Sequence, residues 1–111
     1  MKLDELINKL GLEKLTEISR PECEISGGYT SDLLSDVMAN SDKDNVWVTM
    51  QTHLNIAAVA KLKELAAIII VMNKEVDSDT ISKANLEKIN ILRTKMNSFR
   101  VSGKLYEMGI R

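Results

Sequence analysis

Hydroxyls, amides, glycines and one imidazole recur in four short clusters, each placed where an apolar run gives way to a polar one. They are Gly27, Gly28, Thr30 and Ser31; Thr49, Gln51, Thr52 and His53; Asn73 with Lys74; and Thr94 with Lys95, Asn97 and Ser98. Such groups, with the outward backbone N–H groups of a turn that opens a helix, bind small polar or phosphate-bearing molecules. The clusters hold no convergent carboxylate pair, no nucleophile and base at a recognisable spacing, and no set of metal ligands. The chain is therefore expected to be a binding or regulatory module and not an enzyme, with no metal and no cofactor. Gly27, Gly28, Thr30, Ser31, Thr49, Gln51, Thr52, His53, Asn73 and Thr94 are its candidate ligand-binding residues.

Each of these residues also has a plainer role. Ile25 to Met38 reads as a strand end, a glycine turn and a helix opened by Thr30 or Ser31. Gly27-Gly28 then serves a turn that needs positive φ. Asp32 and Asp36 stand four apart as like charges, an arrangement that suits solvated side chains. Asp32 in a first helical turn complements the dipole, and it also repels a bare phosphate. His53 opens a helix, where amide dipoles disfavour its charged form. As a phosphotransfer residue it would need a partner that no fixed spacing supplies. Cys23, between Glu22 and Glu24, gains no help toward a thiolate and reads as a small buried residue. Met50, Met72, Met96 and Met108 read as core filler.

The elements that position the clusters follow from periodicity. Leu3, Leu6, Ile7 and Leu10 mark a helix that Gly11 ends. Leu12 to Ile18 is a short strand stopped at Arg20-Pro21, and Cys23 to Ile25 is a second extended piece. Residues 31–40 form a helix with Leu33, Leu34, Val37 and Met38 inward. The run Val46 to Met50 suits a strand covered on both faces. Leu54 to Glu64 is a helix, Ala66 to Met72 a strand, and Asp77 to Asn90 a helix with Ile81, Ala84, Leu86 and Ile89 as core contacts. Ile91-Leu92 leads a last strand to Thr94, and Val101, Leu105 and Met108 mark a final helix ended by Gly109. Strands alternating with helices predict one small α/β domain over residues 1–111. Its sheet is mainly parallel, with room for a mixed strand, right-handed crossovers and helices on both faces. The four clusters then lie along one edge, beyond the carboxyl ends of the strands.

Composition narrows the partners. Fifteen Lys and Arg against sixteen Asp and Glu give a net charge of -1, so neither a nucleic acid polymer nor an anionic membrane is expected. Tyr29, Trp47, Phe99 and Tyr106 are the only aromatic residues, too few for stacking on single strands. A single cysteine allows no intrachain disulfide and fits a reducing, cytoplasmic setting. The longest apolar run, Leu65 to Met72, is far short of the roughly 20 residues that span a bilayer.

Taken together, Gly27 to Ile110 resembles the DRTGG domain family. The likeness rests on Gly27-Gly28-Tyr29-Thr30-Ser31-Asp32-Leu33-Leu34-Ser35-Asp36-Val37-Met38, on Val48-Thr49 with Gln51-Thr52-His53, on Leu65 to Val71, and on Ile91 to Thr94. It continues through Ser98-Phe99 into the closing helix. That family is a small α/β module found alone or fused to CBS-domain pyrophosphatases and phosphate acetyltransferases. It is similar in fold to the N-terminal domain of HPr kinase/phosphorylase. Where many members carry Gly-Asp-Arg this chain has Gln51-Thr52-His53, and where they carry Thr-Gly-Gly it has Val71-Met72-Asn73. The resemblance implies a regulatory module without catalysis, forming a homodimer and associated with a nucleotide or another small polar ligand. An adaptor that docks a partner enzyme or kinase through a helix face is the alternative.

Overall fold

Apolar residues repeat at two periods in this chain, and the two sets meet in a layered α/β arrangement. The computed structural model describes residues 1–111. In chain order its elements are α1 (Leu3–Leu10), β1 (Glu13–Lys14), β2 (Gly27–Thr30), α2 (Leu34–Asn40), β3 (Asn45–Thr49), α3 (Asn55–Lys63), β4 (Ala67–Ile70), α4 (Ser78–Glu87), β5 (Ile91–Arg93) and α5 (Ser98–Glu107). They form one five-stranded sheet of order β1-β5-β4-β3-β2. Strands β2 to β5 run parallel, and β1 pairs antiparallel with β5. The sheet is thus mixed but mostly parallel, as the alternation of elements predicts.

Every residue of β3 and β4 is buried, because helices cover both faces. Val46, Val48, Ile69 and Leu92 pack on one side against Leu3, Leu6 and Ile7 of α1 and Val101 and Leu105 of α5. Trp47, Ile68, Ile70 and Ile91 pack on the other against Val37 of α2, Ile56 and Val59 of α3 and Ala84 of α4. The alternation follows from the two-residue period of a strand. No helix is long and apolar enough to cross a membrane.

The structure departs from the sequence-based expectation in five places. First, Leu12 to Ile18 is not a full strand: only Glu13 and Lys14 pair, with Arg93 and Leu92. Beyond them the chain is strapped down by side chains, Asn85 accepting from Glu17 N–H and Asn90 from Ser19 N–H. Second, Gly27-Gly28 is not a turn; both residues lie inside β2, opposite Asn45 and Val46. The C-terminal backbone explains the first of them, since a Cβ at Gly27 would sit 2.7 Å from the Arg111 carbonyl oxygen. Third, α2 begins at Leu34 and not at Ser31, and neither Thr30 nor Ser31 caps it. Fourth, Leu33 and Leu86 are exposed, and Met38 is about a third exposed. Fifth, Met50 and Met72 are exposed at the sheet edge and not core filler, while Met96 and Met108 are partly buried against the core.

Candidate functional site

Parallel pairing of β2, β3, β4 and β5 brings their carboxyl ends to one edge. Three of the four clusters lie at that edge: Thr49 to His53 at the end of β3, Asn73-Lys74 after β4 and Thr94 after β5. The first cluster is divided. Thr30 and Ser31 stand at this edge, whereas Gly27 and Gly28 lie toward the start of β2, away from it.

Backbone bonds stitch the edge together. Ser31 N–H donates to Val48 O, Val71 N–H to Thr49 O, and Asn73 N–H to Thr94 O at 2.8 Å. Asp32 ties the loop after β2 to the end of β3. One carboxylate oxygen accepts from the buried Thr49 hydroxyl at 2.9 Å and from Met50 N–H at 2.7 Å. The Gln51 side chain donates back to Asp32 O at 2.9 Å. From its place in the chain Asp32 reads as a solvated dipole partner. The only clue was its position one residue past Ser31, and pairing across strands is not legible from that.

Several candidate residues spend their polar atoms on the fold. Thr30 shares a hydrogen bond with Ser102 of α5. Ser31 Oγ accepts from Leu33 N–H, and Ser31 O accepts from the Trp47 indole. Thr49 Oγ1 also accepts from Gln51 N–H, and Thr94 Oγ1 accepts from Met96 N–H. What remains is a cleft of about 320 Å³ lined by Asp32, Gln51, Thr52, His53, Lys74 and Glu75, with Met50 at its rim. His53 is largely exposed, with Nδ1 3.4 Å from an Asp77 carboxylate oxygen, and it also borders an open cleft of about 540 Å³ between α3 and α4. Asn73 and Thr94 line a neighbouring cleft of about 310 Å³ with Arg93 and Lys95. No group of three or more His, Cys, Asp or Glu side chains is placed to hold a metal ion.

The turn after β4 carries strain. Met72 and Asn73 both have positive φ, 60° and 50°, and Lys74 N–H returns to Val71 O at 3.3 Å. That is the geometry of a type I′ turn, which favours Gly and Asn at its centre. Asn73 suits it; Met72 does not. A left-handed residue other than glycine costs about 1–2 kcal/mol, and a new glycine returns part of that through the unfolded chain. Met72→Gly should therefore stabilise the fold by about 0.5–1 kcal/mol. The check is a higher urea midpoint at unchanged slope.

Asp36, expected to be solvated, accepts from the Tyr29 hydroxyl at 2.7 Å and from the Asn40 amide at 2.8 Å. The Tyr29 bond, then those from Ser31 and Asn40, hold its carboxyl below the usual carboxylate range. The Asp36 bond in turn raises the Tyr29 phenol. A lowered acid contributes stability above its unfolded pKa and loses it as pH falls through the folded one. A raised phenol contributes below its unfolded pKa and loses it as pH rises through the folded one. Wild type should thus exceed Tyr29→Phe in stability at neutral pH, with the gap closing below about pH 4 and above about pH 10. Urea titrations across pH check this, and a gap that is flat with pH contradicts it.

Cys23 is buried, as expected, with its thiol pushed up by burial and by Asp44.

The fold is similar to a solved structure of the CBS and DRTGG domains of the regulatory region of Clostridium perfringens pyrophosphatase, complexed with its activator, diadenosine tetraphosphate. The TM-score is 0.70 at 15% sequence identity, over 92% of this chain and 44% of that one. The likeness supports a DRTGG-like fold, in which this chain spans less than half the length of the regulatory chain it matches. No protein-family model matches the sequence, and no curated protein matches it.

Proposed function

We propose that this domain is a non-catalytic regulatory module, acting in the cytoplasm as a homodimer, that senses a small polar or nucleotide-like ligand at the carboxyl edge of its sheet. The observation that carries the reading is the cleft of about 320 Å³ at the ends of adjacent parallel strands, the usual place for ligands in open α/β sheets. Its similarity in fold to a pyrophosphatase regulatory region supports the regulatory half.

The lining supports one class of ligand. Asp32 and Glu75 oppose a bare anion, the Lys74 ammonium favours one, and the His53 imidazole adds a ring nitrogen for hydrogen bonding. A molecule with hydroxyl donors at one end and a single phosphate at the other satisfies both, as a nucleoside monophosphate or a sugar phosphate does. Thr52 and Gln51 add uncharged hydrogen-bonding groups to the same lining.

Isothermal calorimetry against adenine nucleotides and sugar phosphates tests this. Binding should occur, and Lys74→Ala should weaken it roughly tenfold, the worth of one charge-assisted hydrogen bond. No heat across the panel would remove the ligand half of the reading.

A further inference from the structure

Gly103 stands in the middle of α5, and a Cβ built there would meet nothing within 4 Å. Glycine is the poorest helix former after proline, and here no neighbour in the chain requires it. At 3.6 residues per turn, Phe99, Gly103 and Tyr106 fall on one stripe. The two rings are 88% and 61% exposed, while Val101 and Leu105 on the opposite side are buried. The Thr30–Ser102 hydrogen bond ties this helix to the end of β2, and three residues beyond Thr30 stands Leu33, which is 64% exposed. Arg100 and Glu107, seven apart on one flank of the stripe, are both exposed. The ion pairs of the chain all lie between other residues.

We propose that this face of α5 receives the same face of a second copy, antiparallel, about a twofold axis passing close to Gly103. The inference rests on the homodimer reading above and gives that dimer its contact surface. A twofold axis sets each position of α5 opposite its mirror position about residue 103. Phe99 and Tyr106 then pack on the partner helix from either side of the close approach that the glycine allows. Arg100 comes beside the partner's Glu107, and the same pair repeats across the axis. This self-complementary charge favours a second copy over an unrelated protein. Two helices of ten residues bury less than the roughly 1,200 Å² of a standard stable interface, so the association is weak and rises with concentration.

Sedimentation equilibrium of the full chain, from about 10 μM to about 1 mM, tests the proposal. The 12.4 kDa monomer should give way to dimer across that range. Phe99→Ser and Gly103→Leu should each raise the dissociation constant about tenfold or more, with circular dichroism unchanged. Arg100→Glu and Glu107→Arg should each weaken the dimer likewise, and the double reversal should restore it. A dimer indifferent to all these changes would overturn the α5 surface and leave the homodimer reading standing. Monomer at every concentration would remove both.

Discussion

Replacing Trp47 by alanine should cost about 3–5 kcal/mol, the range for truncating a large buried aromatic residue. Trp47 is fully buried at the centre of β3, among Val37, Ile56, Ile68 and Ile91. It pairs in register with Tyr29 and Ile68, so a void there loosens three strands at once. Its indole N–H donates to Ser31 O at 2.8 Å and fixes the chain just before Asp32. A domain of this size has about 5–15 kcal/mol of stability in all, so the variant should be close to unfolding at 37 °C. Trp47→Phe separates the two contributions. It keeps most of the volume but leaves Ser31 O unpaired, and should cost about 1–3 kcal/mol. Trp47 is the only tryptophan, so unfolding must be followed by circular dichroism. A cost below about 1 kcal/mol for Trp47→Ala would mean that the cluster around it does not hold the sheet.

How much of this was legible in the chain depended on how local each cause is. Val46 to Thr49 and Ala67 to Ile70 announce strands covered on both faces because continuous apolar runs leave no wet side. Leu3, Leu6 and Ile7 show their helix through spacing alone, and Gly11 its end through the left-handed turn that glycine permits. Gly27 misled because the same residue type answers two needs. A positive φ is visible in local sequence, but the close approach of Arg111, eighty-four positions away along the chain, is not. Glu13 and Lys14 pair with β5 through a contact of similar range, Glu13 meeting Arg93 in a two-bond ion pair. The site was legible as an edge, since parallel strands must gather their carboxyl ends. It was not legible atom by atom. Whether Thr49 and Ser31 face a ligand or brace the loops depends on Asp32 and Trp47, which reach them only once the strands are paired.

Removing the Asp32 carboxylate should therefore do more harm than an exposed aspartate ordinarily does. Surface substitutions are usually worth within about 0.5 kcal/mol. Asp32→Ala deprives the fully buried Thr49 hydroxyl of its acceptor and frees Met50 N–H. A hydrogen bond to a charged group contributes about 1.5–3 kcal/mol, and the exposed half of this arrangement is screened, so a loss of about 2 kcal/mol is expected. Asp32→Asn retains one acceptor oxygen in the same place and should lose about 1 kcal/mol or less. Thr49→Val removes the other partner, so the two losses must overlap. The double variant Asp32→Ala/Thr49→Val should be more stable than the sum of the singles implies, by about 1 kcal/mol. Urea denaturation of the four proteins measures that coupling directly, and simple additivity would show that the bond contributes nothing. The same variants also separate support from recognition. Thr49→Val leaves the Asp32 carboxylate at the cleft, so a ligand that binds through that carboxylate should lose affinity on Asp32→Asn far more than on Thr49→Val. Equal losses in the two would mean that Asp32 only braces the loop and touches no ligand.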